Sequence, residues 1–192
     1  VDGRLRTLVK DGSQGGVTWR EPAATTIWLK PAAKVSSPGG AFSFLGAAGS
    51  AAWQIPQTQN PNLVWLGWNT EELTAAQVSG GVQWTLNSVD GPGQVTVYEL
   101  ASFGSPEKIL SAGGTYSIPL GTHAHGNWGF TAEGTYRLHM TQTVQLVGGG
   151  TSTDRQTLTV VAGGSSPAAT ASTTSTKTTS AGDSLACETP FG

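Results

Sequence analysis

The chain has 192 residues and a formal net charge of −2, from 10 Lys and Arg against 12 Asp and Glu. Only 11% of its residues are charged, well below the roughly 25% of an ordinary soluble protein, so no electrostatic feature points to nucleic acid or an anionic membrane as partner. The length allows one domain with a sizeable core plus a tail, and no apolar run reaches the roughly 20 residues of a membrane-spanning helix.

Polarity comes instead from Thr, Ser, Gln and Asn, and the 27 glycines imply many tight turns. The single cysteine, Cys187, leaves no internal disulfide. A low-charge, Thr-rich, nearly Cys-free chain fits a secreted or cell-surface bacterial protein. No signal-peptide pattern opens the chain, so the signal of an exported protein is expected upstream of Val1.

In chain order, short alternating segments are separated by Gly, Pro and Asn. Residues 4–10 place Leu5, Thr7 and Val9 on one face. Residues 25–30 end at Pro31, and 51–55 stop at Pro56. Residues 63–68 are apolar on both faces, which predicts a central strand or a close sheet-to-sheet contact. The run Asn69-Thr70-Glu71-Glu72-Leu73 resembles a capping box, predicting one short helix over about 70–78 that stops at Gly80-Gly81. Residues 82–88 alternate, with Val82, Trp84 and Leu86 inward. The turn signal Asp90-Gly91-Pro92-Gly93 precedes a strand at 94–100. Residues 135–147 put Tyr136, Leu138, Met140, Val144 and Leu146 on one face, and 155–161 pair Leu158 with Val160. Gly148-Gly149-Gly150 between them predicts a hairpin. Together these segments predict an all-β, Ig-like antiparallel β-sandwich with one short helix over residues 1–162.

After Val161 the composition changes. Residues 163–186 contain almost no large apolar side chain and read as a disordered Ser/Thr/Ala-rich linker. Residues 187–192 read as a tail or the start of a further segment. Ser184-Leu185-Ala186-Cys187 has the look of a lipid-attachment site, but it lies at the wrong end of the chain and follows no apolar region.

The stretch with most chemistry is Gly121-Thr122-His123-Ala124-His125-Gly126-Asn127-Trp128-Gly129-Phe130, leading to Gly134-Thr135-Tyr136. If it is extended, His123 and His125 share one face, where two neutral imidazoles can meet one metal ion or ligand. Zinc takes three or four N, S or O ligands, so Asp11, Glu71 or Glu72 would have to supply oxygens. The competing reading is that both imidazoles brace a loop through backbone hydrogen bonds.

The run His123-x-His125-x-x-Trp128-x-Phe130-x-x-x-Gly134-x-Tyr136 resembles the actinobacterial surface-anchored repeat domain, whose members are often labelled choice-of-anchor M domain proteins. Asp2-Gly3-Arg4-Leu5, Val9-Lys10-Asp11, Trp19-Arg20-Glu21-Pro22, Trp53 to Gln59 and Gly67 to Glu72 extend the resemblance over nearly all of residues 1–162. The resemblance implies export by an actinobacterium, an extracellular place at the cell wall or cell surface, and association with a metal-type ABC transporter. It therefore implies a receptor for a metal ion or another small solute, among envelope proteins, without catalysis. Zinc or manganese is the expected ion, and His123, His125 and Asp11 are the expected ligands; no organic cofactor is implied. Many relatives have His-Asp where this chain has Lys10-Asp11, and a protonated lysine does not bind metal. Many also carry a His-Val-Asp segment ahead of the position of Val1.

Other candidates have plainer explanations. His139 alternates with Arg137 and Thr141 and is expected on an exposed, uninvolved face. Trp84 and Trp128 are expected in the core, whereas Trp19 and Trp28 are the tryptophans best placed to stack on sugar rings. The acidic pair Glu71-Glu72 matches no calcium loop. No Gly-x-Ser-x-Gly elbow or phosphate-cradling loop supports an enzyme. The alternative to a receptor is a structural or adhesive surface module, including one that assembles through strand edges.

Overall fold

Strands form where β-branched and aromatic residues run together, and they break at Gly, Pro and Asn. The computed structural model describes residues 3–13 and 15–167 together with the backbone of 185–189. Its strands are β1 (Thr7–Asp11), β2 (Thr18–Arg20), β3 (Thr26–Leu29), β4 (Lys34–Ser36), β5 (Ala51–Ile55), β6 (Gly67–Asn69), β7 (Val78–Asp90), β8 (Val95–Leu100), β9 (Pro106–Ser111), β10 (Thr115–Ile118), β11 (His123–His125), β12 (Asn127–Phe130), β13 (Gly134–Leu146), β14 (Thr151–Ala162) and β15 (Leu185–Thr189).

They assemble as three five-stranded sheets. The first runs β11-β6-β15-β1-β2, the second β10-β7-β13-β14-β3 and the third β4-β5-β12-β8-β9. Pairing is antiparallel except for β1 with β15 and β3 with β14. The architecture is all-β and sandwich-like, as expected.

The core is built from the inward positions of the long strands. Val82, Trp84 and Leu86 of β7 are buried, as are Tyr136, Leu138, Met140 and Val144 of β13 and Leu158 and Val160 of β14. Trp84 meets Trp128 of β12 at a ring-centroid distance of 5.6 Å, which joins the second sheet to the third. Trp68 of β6 lies 5.7 Å from Trp84 and brings the first sheet into the same cluster. Aromatic pairs at such separations add to the burial of their area. The Tyr136 hydroxyl donates to the Ala132 carbonyl at 2.7 Å and accepts from the Ala132 N–H at 3.1 Å. This is the tyrosine corner found in Greek-key sandwiches. Burial pushes the Tyr136 phenol above its ordinary pKa, while the Ala132 bond acts in the opposite direction.

The β13–β14 hairpin forms where the glycine run predicts it, pairing from Gly134↔Ala162 to Gln145↔Thr151. Gly149 and Gly150 both take positive φ, at 92° and 82°, which only glycine adopts without strain. The apolar run at 63–68 becomes strand only from Gly67 onward, although Val64 and Leu66 are buried in the segment before it.

The expected helix over 70–78 does not form. Residues 71–77 make turns, with Leu73 N–H donating to the Thr70 carbonyl at 3.1 Å and Gln77 N–H to the Thr74 carbonyl at 3.0 Å. Asn69 Oδ1 accepts from the Glu71 N–H at 2.7 Å, a local Asx bond that competes with a helical start. So short a segment does not offset the cost of helix nucleation. Among the described residues the only helices are four short 3₁₀ segments, at Pro22–Ala24, Pro31–Ala33, Gly40–Leu45 and Ser102–Gly104.

The expected linker begins with an anchored residue: Gly163 N–H donates to the Leu29 carbonyl at 2.8 Å, and its own carbonyl accepts from Trp28 Nε1 at 3.1 Å. Residues 168–184 of that linker, and 190–192 of the expected tail, lie outside the described residues. Between them the backbone of β15 spans Leu185–Thr189, across the position where the linker was expected to end. It pairs along all of β1, from Thr7↔Leu185 to Asp11↔Thr189, and meets β6 at Asn69↔Ala186. Composition hid this strand because it is short and its partners are remote in sequence.

Candidate functional site

The histidine segment is extended, so His123 and His125 do share a face. They form β11, the edge strand of the first sheet, paired as His123↔Asn69 and His125↔Gly67. Mutual bonds hold the approach to this strand in place: Thr70 N–H donates to the Thr122 carbonyl at 2.8 Å, and Thr122 N–H to Thr70 Oγ1 at 3.0 Å. The Thr70 hydroxyl in turn donates to the Pro119 carbonyl at 2.6 Å.

The two imidazole centroids are 5.4 Å apart. His123 is partly exposed, and its Nδ1 lies 3.2 Å from Glu71 Oε2. Asn69 orients that carboxylate, donating from Nδ2 to Glu71 Oε2 at 2.6 Å. His125 stacks on Trp65, with centroids 3.6 Å apart and planes within 8°, and both its ring nitrogens are shielded from solvent. Trp65 is fixed by its indole N–H, which donates to the Gln57 carbonyl at 2.8 Å.

Gly67 is required at the centre of this arrangement. A Cβ there would sit 2.2 Å from the Ala124 carbonyl oxygen and 2.8 Å from His125 Nδ1. The imidazole thus overhangs the space that a side chain at position 67 would fill.

Of the expected ligands, His123 and His125 are brought together and Asp11 is engaged elsewhere. Asp11 Oδ2 pairs with Arg20 Nε at 2.5 Å, and Oδ1 accepts from the Ser13 N–H at 2.9 Å. Burial alone would push the Asp11 carboxyl up, but the bonds from Ser13 and Arg20 and the Arg20 charge hold it below its ordinary value. Glu71, the candidate oxygen donor named beside it, is the carboxylate that reaches His123, and Glu72 is exposed. Among the described residues, no three His, Cys, Asp or Glu side chains are grouped to hold a metal ion. Two imidazoles and Glu71 therefore form an incomplete donor set. They can accept hydrogen bonds, donate them, or share a cation with further ligands.

Sequence reasoning missed Trp65, whose run of apolar neighbours read as core. The signal was Gly67 two residues on, an unexplained glycine in an otherwise bulky strand. His139 is half-buried and engaged: Nε2 lies 2.9 Å from Asp90 Oδ2, and Nδ1 lies 3.0 Å from Thr157 Oγ1. Trp19 and Trp28 are half-buried rather than displayed. A cavity of about 280 Å³ lined by Leu5, Leu73, Val78, Val144 and Leu146 contains none of the histidines. Comparison with protein-family models, curated proteins and solved structures finds no match for this chain.

Proposed function

We propose that this chain is an exported actinobacterial cell-envelope module that binds a metal ion or another small solute at the His123–His125 edge. Its role is that of a receptor associated with an ABC transporter, located extracellularly at the cell wall or surface. The convergence of His123, His125, Glu71 and Trp65 on one strand edge supports this reading. Two imidazoles beside an oriented carboxylate are donors suited to zinc or manganese. The envelope location rests on composition and on the sequence resemblance. No catalytic role is assigned.

The second reading is a structural or adhesive surface module without a small ligand. The near-parallel stack of His125 on Trp65 favours it, because that contact braces the segment by packing alone. Isothermal calorimetry of the full chain with zinc and with manganese separates the two. The receptor reading expects saturable heat that vanishes in the His123→Ala/His125→Ala double variant. No heat in the parent, with a lowered melting temperature in the metal-free double variant, would establish the bracing role instead.

A further inference from the structure

The loop between β8 and β9 presents an aromatic side chain to solvent at a backbone cost. Phe103 is fully exposed, and among the described residues it is the only non-glycine with a positive φ, at 65°. A bulky residue is strained in that region, and the ring gains nothing by burial within its own chain. The loop still holds the ring in a fixed place. Ala101 N–H donates to the Ser105 carbonyl at 2.9 Å, and Gly104 N–H to the Ala101 carbonyl at 3.0 Å.

Behind the loop, Glu99 and Glu107 face each other in register across β8 and β9. Like charges directly opposite are unfavourable. Burial, and then the Glu107 charge, push the Glu99 carboxyl above its ordinary value. Among the described residues neither carboxylate has an ion-pair partner. A cation brought to the base of the loop would offset their repulsion.

A complementary surface exists elsewhere on the same chain. The cavity of about 280 Å³ lined by Leu5, Leu73, Val78, Val144 and Leu146 has the exposed residues Arg4, Gly148 and Gly149 at its rim. An apolar cavity of roughly 150 Å³ accepts benzene, so a phenyl group fits here. Among the described residues Arg4 also has no ion-pair partner.

We infer that Phe103 of one copy of this chain docks in the Leu5–Leu146 cavity of a second copy, where Arg4 meets Glu99 and Glu107. Knob and cavity are different surfaces, so the contact is heterologous and propagates head to tail unless it closes on itself. It is small, of the weak and transient class, and it is independent of what the histidine edge binds.

Sedimentation velocity on the full chain tests this. The parent should associate as its concentration rises, and less so at high salt. Phe103→Gly should weaken association at least about tenfold, as expected on losing an aromatic anchor. It should not lower the melting temperature, because glycine takes that φ freely. Arg4→Glu should weaken association as well. The two variants mixed should recover a dimer and nothing larger, since one keeps only the cavity and the other only the knob. A parent that stays monomeric at every concentration would overturn the inference. Undiminished association in Phe103→Gly would overturn it in favour of strand-edge pairing. A lowered melting temperature in that variant would assign Phe103 to the fold instead. A mixture without dimer would replace the cavity contact by one between two Phe103 loops.

Discussion

At the scale of single residues, Asp11 shows how a fold reassigns a side chain that sequence offers for another task. Its carboxylate is committed to Arg20 and to the turn at Ser13, with the Asp11 side chain 12% and that of Arg20 30% exposed. A carboxyl held below its ordinary pKa adds stability when ionised. That contribution is present above the unfolded value of about 3.9 and is lost as pH falls through the lower folded value. Arg20→Leu should therefore lower stability by about 1 kcal/mol at neutral pH, as measured by urea denaturation. The difference from the parent should narrow as pH falls below about 4, because protonated Asp11 no longer distinguishes the two chains.

At the scale of elements, the third residue of β13 ties a turn to a strand. Tyr136 is fully buried, packs edge-on against Phe130 at 5.1 Å, and uses its hydroxyl on both polar groups of Ala132. Tyr136→Phe keeps the ring and removes only those bonds, leaving the Ala132 groups without that partner. The expected loss is about 1–2 kcal/mol, read as a lower midpoint at unchanged m-value in urea. The turns over 71–77 illustrate the opposite case. There the capping-box pattern was present, but Asn69 spends its side chain on Glu71, and that bond positions a site carboxylate rather than starting a helix.

At the scale of the whole molecule, three sheets share one apolar cluster. Trp68, Trp84 and Trp128 form a chain of contacts through it, one tryptophan from each sheet. No sheet can separate without exposing part of that chain. Residues 1–162 should accordingly unfold as one unit, with the tryptophan fluorescence and far-UV circular dichroism transitions coinciding in denaturant. A fluorescence transition that runs ahead of the dichroism would show that one sheet detaches first.

The sequence by itself determined the all-β class, the inward faces of β7, β13 and β14, the glycine hairpin and the shared face of the two histidines. Those properties depend on the two-residue period of a strand and on turn chemistry, both of which are local. Tertiary structure alone decided that Glu71 meets His123, that Trp65 stacks on His125, that Asp11 pairs with Arg20 rather than joining the histidines, and that a strand near the C-terminus lies between β1 and β6. Each of the four depends on strand order or register between segments far apart in the chain or joined by irregular loops. A periodicity reports which face a side chain occupies, but not which strand comes to lie beside it.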